Sequence, residues 1–165
     1  MPSPIFSADL ADETATAALA SRIAQHLRPG DTLLLEGNIG AGKTAFARAL
    51  IRARLGRMED VPSPTFTLVQ TYNAPDGDLW HCDLYRLTHP DEALELGLEE
   101  AFETAICLIE WPDRLGDALP ENVIVPDVDP ILAKMINQNS NSDRRIPPRP
   151  EWLSWVYSAG PFVLF

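Results

Sequence analysis

One run of residues has types and spacing suited to phosphate chemistry: Gly37-Asn38-Ile39-Gly40-Ala41-Gly42-Lys43-Thr44. It reads G-x-x-x-x-G-K-T, the P-loop pattern. A loop that wraps a polyphosphate must turn successive backbone N–H groups inward. Glycines keep side chains out of the way there and permit unusual φ/ψ. Lys43 then sets an ammonium against the β- and γ-phosphates, and Thr44 offers its hydroxyl to Mg²⁺. A plain strand-to-helix turn has no use for Lys-Thr after three glycines. No Asn-Lys-x-Asp follows the loop, so nothing points to guanine.

Further candidates lie downstream. Val61-Pro62-Ser63-Pro64-Thr65 follows the loop's helix and carries hydroxyls at Ser63 and Thr65, which could reach Mg²⁺ or order on a γ-phosphate; a rigid proline turn into a strand is the competing reading. Asp83 closes a strand-like run, and Glu110 closes the apolar run Ala105-Ile106-Cys107-Leu108-Ile109. An apolar strand ending in a carboxylate is where a P-loop protein sets its second metal-binding group. Spacing leaves that role open between Asp83 and Glu110, and Asp83 could instead be a polar strand end held by Arg86. His26, His81 and His89 do not fall at metal-ligand spacing, so zinc is not expected.

The elements that must position these groups are legible in outline. Asp9 or Asp12 caps a helix running to about Leu27, with Leu19, Ile23 and Leu27 at helical spacing and Pro29-Gly30 ending it. Thr32–Glu36 is a strand. Thr44–Ile51 opens a helix with Phe46, Leu50 and Ile51 on one side and a stop at Gly56. Residues 65–72 and 78–85 form a hairpin across Ala74-Pro75-Asp76-Gly77. Pro90-Asp91 starts a helix packed through Ala93, Leu94, Leu96 and Leu98 and weakened by Gly97. Ala105–Ile109 is a buried strand, Asp113–Leu119 a short helix or loop, and Val123–Val125 an edge strand. Residues 126–165 differ, with six prolines, a polar run and five aromatic residues in no clear period.

Composition narrows the function. The chain has 165 residues, 45% of them hydrophobic, which suits one domain. Its net charge of −11 argues against broad attraction to nucleic acid, so an RNA role would run through a local patch or a partner protein. Lys43 and Arg48 are the cations near the loop. Cys82 and Cys107 read as buried thiols. No run approaches the ~18 apolar residues of a membrane span, and the first residues carry neither a basic region nor an apolar signal core. A cytoplasmic protein is expected, with no membrane contact.

Four stretches in this order and spacing resemble the TsaE (YjeE) family of small bacterial ATPases of tRNA threonylcarbamoyladenosine (t6A) biosynthesis: Glu36–Thr44, Ser63–Val69, His81–Leu87 and Leu108–Pro112. The resemblance covers about residues 5 to 125. It implies an α/β fold, a P-loop NTPase-like single domain with a mixed β-sheet flanked by helices. It implies cytoplasmic ATP hydrolysis with Mg²⁺ in association with the TsaB–TsaD complex, whose TsaD subunit transfers the threonylcarbamoyl group. It assigns Asn38, Ile39, Gly40, Ala41, Gly42, Lys43 and Thr44 to the phosphates and Thr44 with Glu110 to Mg²⁺. Asp83, with Lys43 and the switch-like Thr65, goes to hydrolysis. Trp111 falls at the nucleotide site, and the segment of Asp12, Glu13 and Thr14 near the adenine. Residues 126–165 depart from the family pattern, so the expected division is an ATPase domain at 1–125 and an atypical C-terminal segment. Alone, the protein is expected to be a monomer or weak oligomer. Two rival functions are a nucleotide-dependent scaffold with incidental hydrolysis and a small-molecule kinase using Asp83 as base.

Overall fold

Local sequence accounts for most elements. The computed structural model describes residues 6–8, 12–35, 37, 39, 40, 42–119, 155–157 and 162–164. Strand β1 is Phe6–Ala8. Helix α1 is Glu13–Ala24, capped by Asp12, whose side chain accepts from the Ala15 N–H at 2.8 Å. It ends before Leu27, which is nonetheless buried. Strand β2 is Thr32–Leu35. Helix α2, Lys43–Leu55, starts at Gly42 and stops at Gly56, which closes the final turn through its N–H to the Arg52 carbonyl.

The hairpin differs from expectation at its start. Strand β3 is Val69–Ala74 and β4 is Gly77–Asp83. Thr65–Thr67 lie in a turn instead, because the Leu68 N–H donates to the Pro64 carbonyl at 2.7 Å and Leu68 takes a left-handed φ of 64°. β4 stops at Asp83 rather than at the expected Tyr85, and the Leu84 N–H makes one further bond, to the Glu110 carbonyl, before the chain turns. The helix expected after Pro90 is two, α3 at Asp91–Glu95 and α4 at Leu98–Thr104, separated by Gly97 at φ 78°. The break turns Leu94 to solvent, against its expected packing role. Strand β5 is Ile106–Glu110, and a 3-10 helix follows at Pro112–Ala118.

Strands β6, Trp155–Tyr157, and β7, Phe162–Leu164, come from the C-terminal segment. The sheet order is β1-β7-β6-β2-β5-β4-β3. The four central strands β6, β2, β5 and β4 pair in parallel, and antiparallel neighbours flank them. This is a mixed sheet in an α/β domain, as expected. Val123–Val125, Asn38, Ala41 and the remainder of 126–165 lie outside the described residues.

Alternation along the strands divides the core. Leu33, Leu35, Leu79, Ile106 and Leu108 cluster with residues of α1 and α2, while Leu34, Cys82, Cys107 and Ile109 cluster with residues of α3, α4 and the 3-10 helix. Phe46, Leu50 and Ile51 of α2 are fully buried in the first cluster; each contributes about 1.5–3 kcal/mol of burial free energy. That packing fixes the start of α2 against the ends of the parallel strands.

Candidate functional site

The parallel register brings three strand ends to one level. Leu35 pairs with Glu110, and Glu110 with Asp83. Ligands in open α/β sheets bind outside such carboxyl ends, and a cleft of about 470 Å³ opens there. Its walls include Ile39 and Gly40 of the loop, Gly42 and the α2 start Lys43 to Ala45, the hydroxyls Ser63 and Thr65, the acids Asp83 and Glu110, and the rings Tyr85 and Trp111.

The loop takes the backbone its glycines were expected to permit. Gly37, Gly40 and Gly42 have φ of 139°, 80° and 93°, values that L side chains rarely adopt. Gly42 delivers the chain into α2, whose first-turn N–H groups and dipole favour an anion at that end. Lys43 is 4% exposed, with its ammonium donating to the Gly37 carbonyl at 2.6 Å and lying 4.4 Å from the centre of the Trp111 ring. Burial lowers its pKa from the ordinary lysine value, and the charges of Glu110 and Asp83 oppose that shift. The ammonium is thus desolvated beside two carboxylates, where a phosphate would meet a strong field. Trp111 adopts φ 60° and tilts against Tyr85 at 4.9 Å between ring centres.

Two carboxylates stand side by side with different partners. The Thr44 hydroxyl donates to Glu110 at 3.1 Å to Oε1 and 3.2 Å to Oε2. Asp83 Oδ2 accepts from the Thr65 hydroxyl at 3.1 Å, and Oδ1 accepts from the Tyr85 N–H. Ser63 Oγ lies 2.8 Å from Thr65 Oγ1. Arg86 does not hold Asp83; its guanidinium stacks on the exposed Phe66 ring at 4.8 Å. The two acids that spacing left as alternatives differ in partner: Glu110 shares a hydrogen bond with the loop threonine, and Asp83 shares one with the proline-turn threonine. Thr44 and Glu110 form a hard oxygen pair that suits Mg²⁺, an ion that takes one or two protein donors and completes its shell with phosphate and water.

Of the residues expected at the site, Ile39, Gly40, Gly42, Lys43, Thr44, Thr65, Asp83, Glu110 and Trp111 converge on the cleft. Thr14 sits exposed in the first turn of α1 and is not among the cleft-lining residues. Arg48 also stays out, donating from Nε to the Val61 carbonyl at 3.0 Å. Sequence reasoning missed Tyr85 and His81. His81 is fully buried with Nε2 2.8 Å from Glu110 Oε1. The signal was available: a residue two before Asp83 on a strand shares its face.

Fold and site together define a P-loop-type α/β protein. The comparisons narrow that class. The family model of the threonylcarbamoyl adenosine biosynthesis protein TsaE matches residues 10–145. A tRNA threonylcarbamoyladenosine biosynthesis protein TsaE of Rickettsia bellii is 44% identical over 115 residues, covering 70% of this chain and 80% of the relative. The protein of that name from Rickettsia felis is 41% identical over 138 residues, covering 81% of each chain, and the one from Bacillus subtilis is 42% identical over 107 residues, covering 64% and 66%. The crystal structure of Bacillus subtilis YdiB superposes with a TM-score of 0.62 at 28% identity, covering 82% of this chain and 96% of YdiB. The chain belongs to the TsaE family.

Proposed function

We propose that this chain is a Mg²⁺-dependent ATPase serving t6A modification of tRNA in the cytoplasm, and that it works in association with the TsaB–TsaD complex. The observation that carries the reading is the Thr44–Glu110 hydrogen bond beside the desolvated Lys43 ammonium at the end of a glycine loop. Family membership supports the pathway.

On this reading residues 38–44 present backbone N–H groups to the phosphates, and Lys43 neutralises the β- and γ-oxygens. Thr44 and Glu110 hold Mg²⁺. When bound, the ion spreads the charge that builds on the transferred phosphoryl group. Asp83, steadied by Thr65, orients a water for attack on the γ-phosphorus as the bond to the ADP oxygen breaks. Trp111 borders the nucleotide, and Thr14 would approach the adenine only from outside the cleft walls. The net charge of −11 supports an indirect relation to tRNA, through the partner proteins.

ATP turnover with and without TsaB–TsaD tests the proposal. Partner-dependent phosphate release supports it. Phosphate recovered on a small-molecule acceptor favours a kinase instead, and unchanged turnover alongside nucleotide-dependent partner binding favours a scaffold.

A further inference from the structure

His81 is an unusual occupant of its position. Its strand neighbour Leu79 and register partner Leu108 belong to the apolar cluster under α1 and α2. The ring is fully buried, and its Nδ1 makes no hydrogen bond among the described residues. A leucine or phenylalanine would pack there without desolvating a polar ring. Among the described residues, the ring's polar contact is Nε2 to Glu110 Oε1 at 2.8 Å, between side chains 0% and 3% exposed.

That contact comes from the core side of the carboxylate. Oε1 receives both His81 and Thr44, whereas Oε2 receives Thr44 alone among the described residues. A glutamate side chain has three rotatable bonds, and one hydroxyl shared between both oxygens does not fix its plane. A ring donor rooted in a central strand does. Partners behind a metal-binding group commonly orient it, and their loss typically weakens metal binding 10–100-fold.

We infer that His81 is a positioning residue: it donates its Nε2–H to Glu110 Oε1 and fixes the plane of the carboxylate that, with Thr44, would hold the ion. The inference rests on the Mg²⁺–ATP reading of the cleft. It assigns His81 no contact with nucleotide and no proton transfer to substrate.

The test has a metal-free arm and a metal arm, both on the full chain. In the first, the imidazole ¹⁵N spectrum of the apo protein is assigned with a His81→Gln variant. The expected result is a slowly exchanging proton on His81 Nε2 whose resonance moves in Glu110→Gln; a ring protonated only at Nδ1 overturns the inference. In the second, ATP affinity is measured in Mg²⁺ and in EDTA. His81→Leu should lose about tenfold of the Mg²⁺-dependent gain while its EDTA affinity stays at wild type. His81→Gln, whose amide can reach the same oxygen, should recover most of the loss. His81→Phe serves in place of the leucine variant if that one does not fold. Equal losses in Mg²⁺ and EDTA, or a glutamine variant no better than leucine, mean a merely structural role and overturn the inference. Wild-type protein showing no Mg²⁺-dependent gain at all defeats the ATPase reading itself, and the inference with it.

Discussion

Asp83 and Glu110 are direct register partners across the parallel β4–β5 pair, yet their carboxylates share no hydrogen-bond partner among the described residues. Glu110 answers to Thr44 and His81, and Asp83 to Thr65 and the Tyr85 backbone. On the proposed reading the two acids, one strand apart, take different tasks, and the Lys43 ammonium feels the charge of both.

Separate tasks predict separable phenotypes. On the ATPase reading, Glu110→Ala weakens ATP binding in Mg²⁺ and spares it in EDTA. Asp83→Ala slows turnover by about a hundredfold with a smaller change in binding, because a water-orienting group acts mainly in the transition state. Calorimetry and single-turnover kinetics check both. The opposite pattern, with Asp83→Ala losing Mg²⁺-dependent binding, reverses the assignment.

Lys43→Ala removes the cation aimed at the phosphates. The expected loss is about ten- to hundredfold in ATP affinity, matching the roughly 1.5–3 kcal/mol of a charge-assisted hydrogen bond. Wild-type affinity and hydrolysis in this variant would falsify the phosphate-loop assignment.

Thr65 ties the proline turn to Asp83 through one 3.1 Å hydrogen bond. Thr65→Val keeps the shape and deletes the donor. Turnover should fall, by less than in Asp83→Ala, and ATP affinity should stay within about threefold, under roughly 1 kcal/mol. An equilibrium binding titration beside a phosphate-release assay separates the two effects.

Burial raises both thiol pKa values, that of Cys107 to about 12 and that of Cys82 well above its usual range. Neither should react with a thiol reagent at pH 8 until the protein is unfolded, when both react; mass spectrometry counts the adducts. The same shifts set a pH dependence. Between about pH 8.5 and 12 the unfolded chain releases thiol protons that the folded chain keeps, so stability falls as pH rises, by up to ~1.4 kcal/mol per pH unit for each thiol. Replacing Cys107 with alanine should flatten that slope in alkaline denaturation curves.

Gly77 closes the hairpin turn at φ 137°, and an added Cβ would lie 2.7 Å from the Pro29 ring. Gly77→Ala should cost about 1–3 kcal/mol, seen as a melting temperature several degrees lower, with nucleotide affinity unchanged because the turn is remote from the cleft walls.

The sequence and the structure agree where local rules are strong. Asp12 and Gly56 bound their helices as capping chemistry requires. The glycine spacing announced a phosphate loop, and the apolar run before Glu110 announced a central strand. Agreement stops where tertiary contacts decide. Thr65–Thr67 have strand-forming side chains but follow Pro64, whose carbonyl captures the Leu68 N–H and holds them in a turn. The division of labour between Asp83 and Glu110 depends on which hydroxyl reaches each acid across 18 and 66 residues of chain, which spacing does not encode. The role of His81 is invisible to metal-ligand spacing among the histidines, because its relation is to a carboxylate in the next strand.

Strand β2, which feeds the glycine loop, is held on both sides, by β5 and by β6. The stretch Pro62–Thr67, which carries Ser63 and Thr65, belongs to no strand, and its ends are fastened through the Arg48–Val61 and Asp83–Leu68 hydrogen bonds. The two sides of the cleft thus have unequal stiffness, one behaving as an anvil and the other as a hinged plate. Amide protons of β2 and β5 should exchange on the timescale of global unfolding, and those of 62–67 far sooner. On the ATPase reading, a change of shape between nucleotide states should fall to the hydroxyl-bearing plate, while β2 and Glu110 keep their geometry.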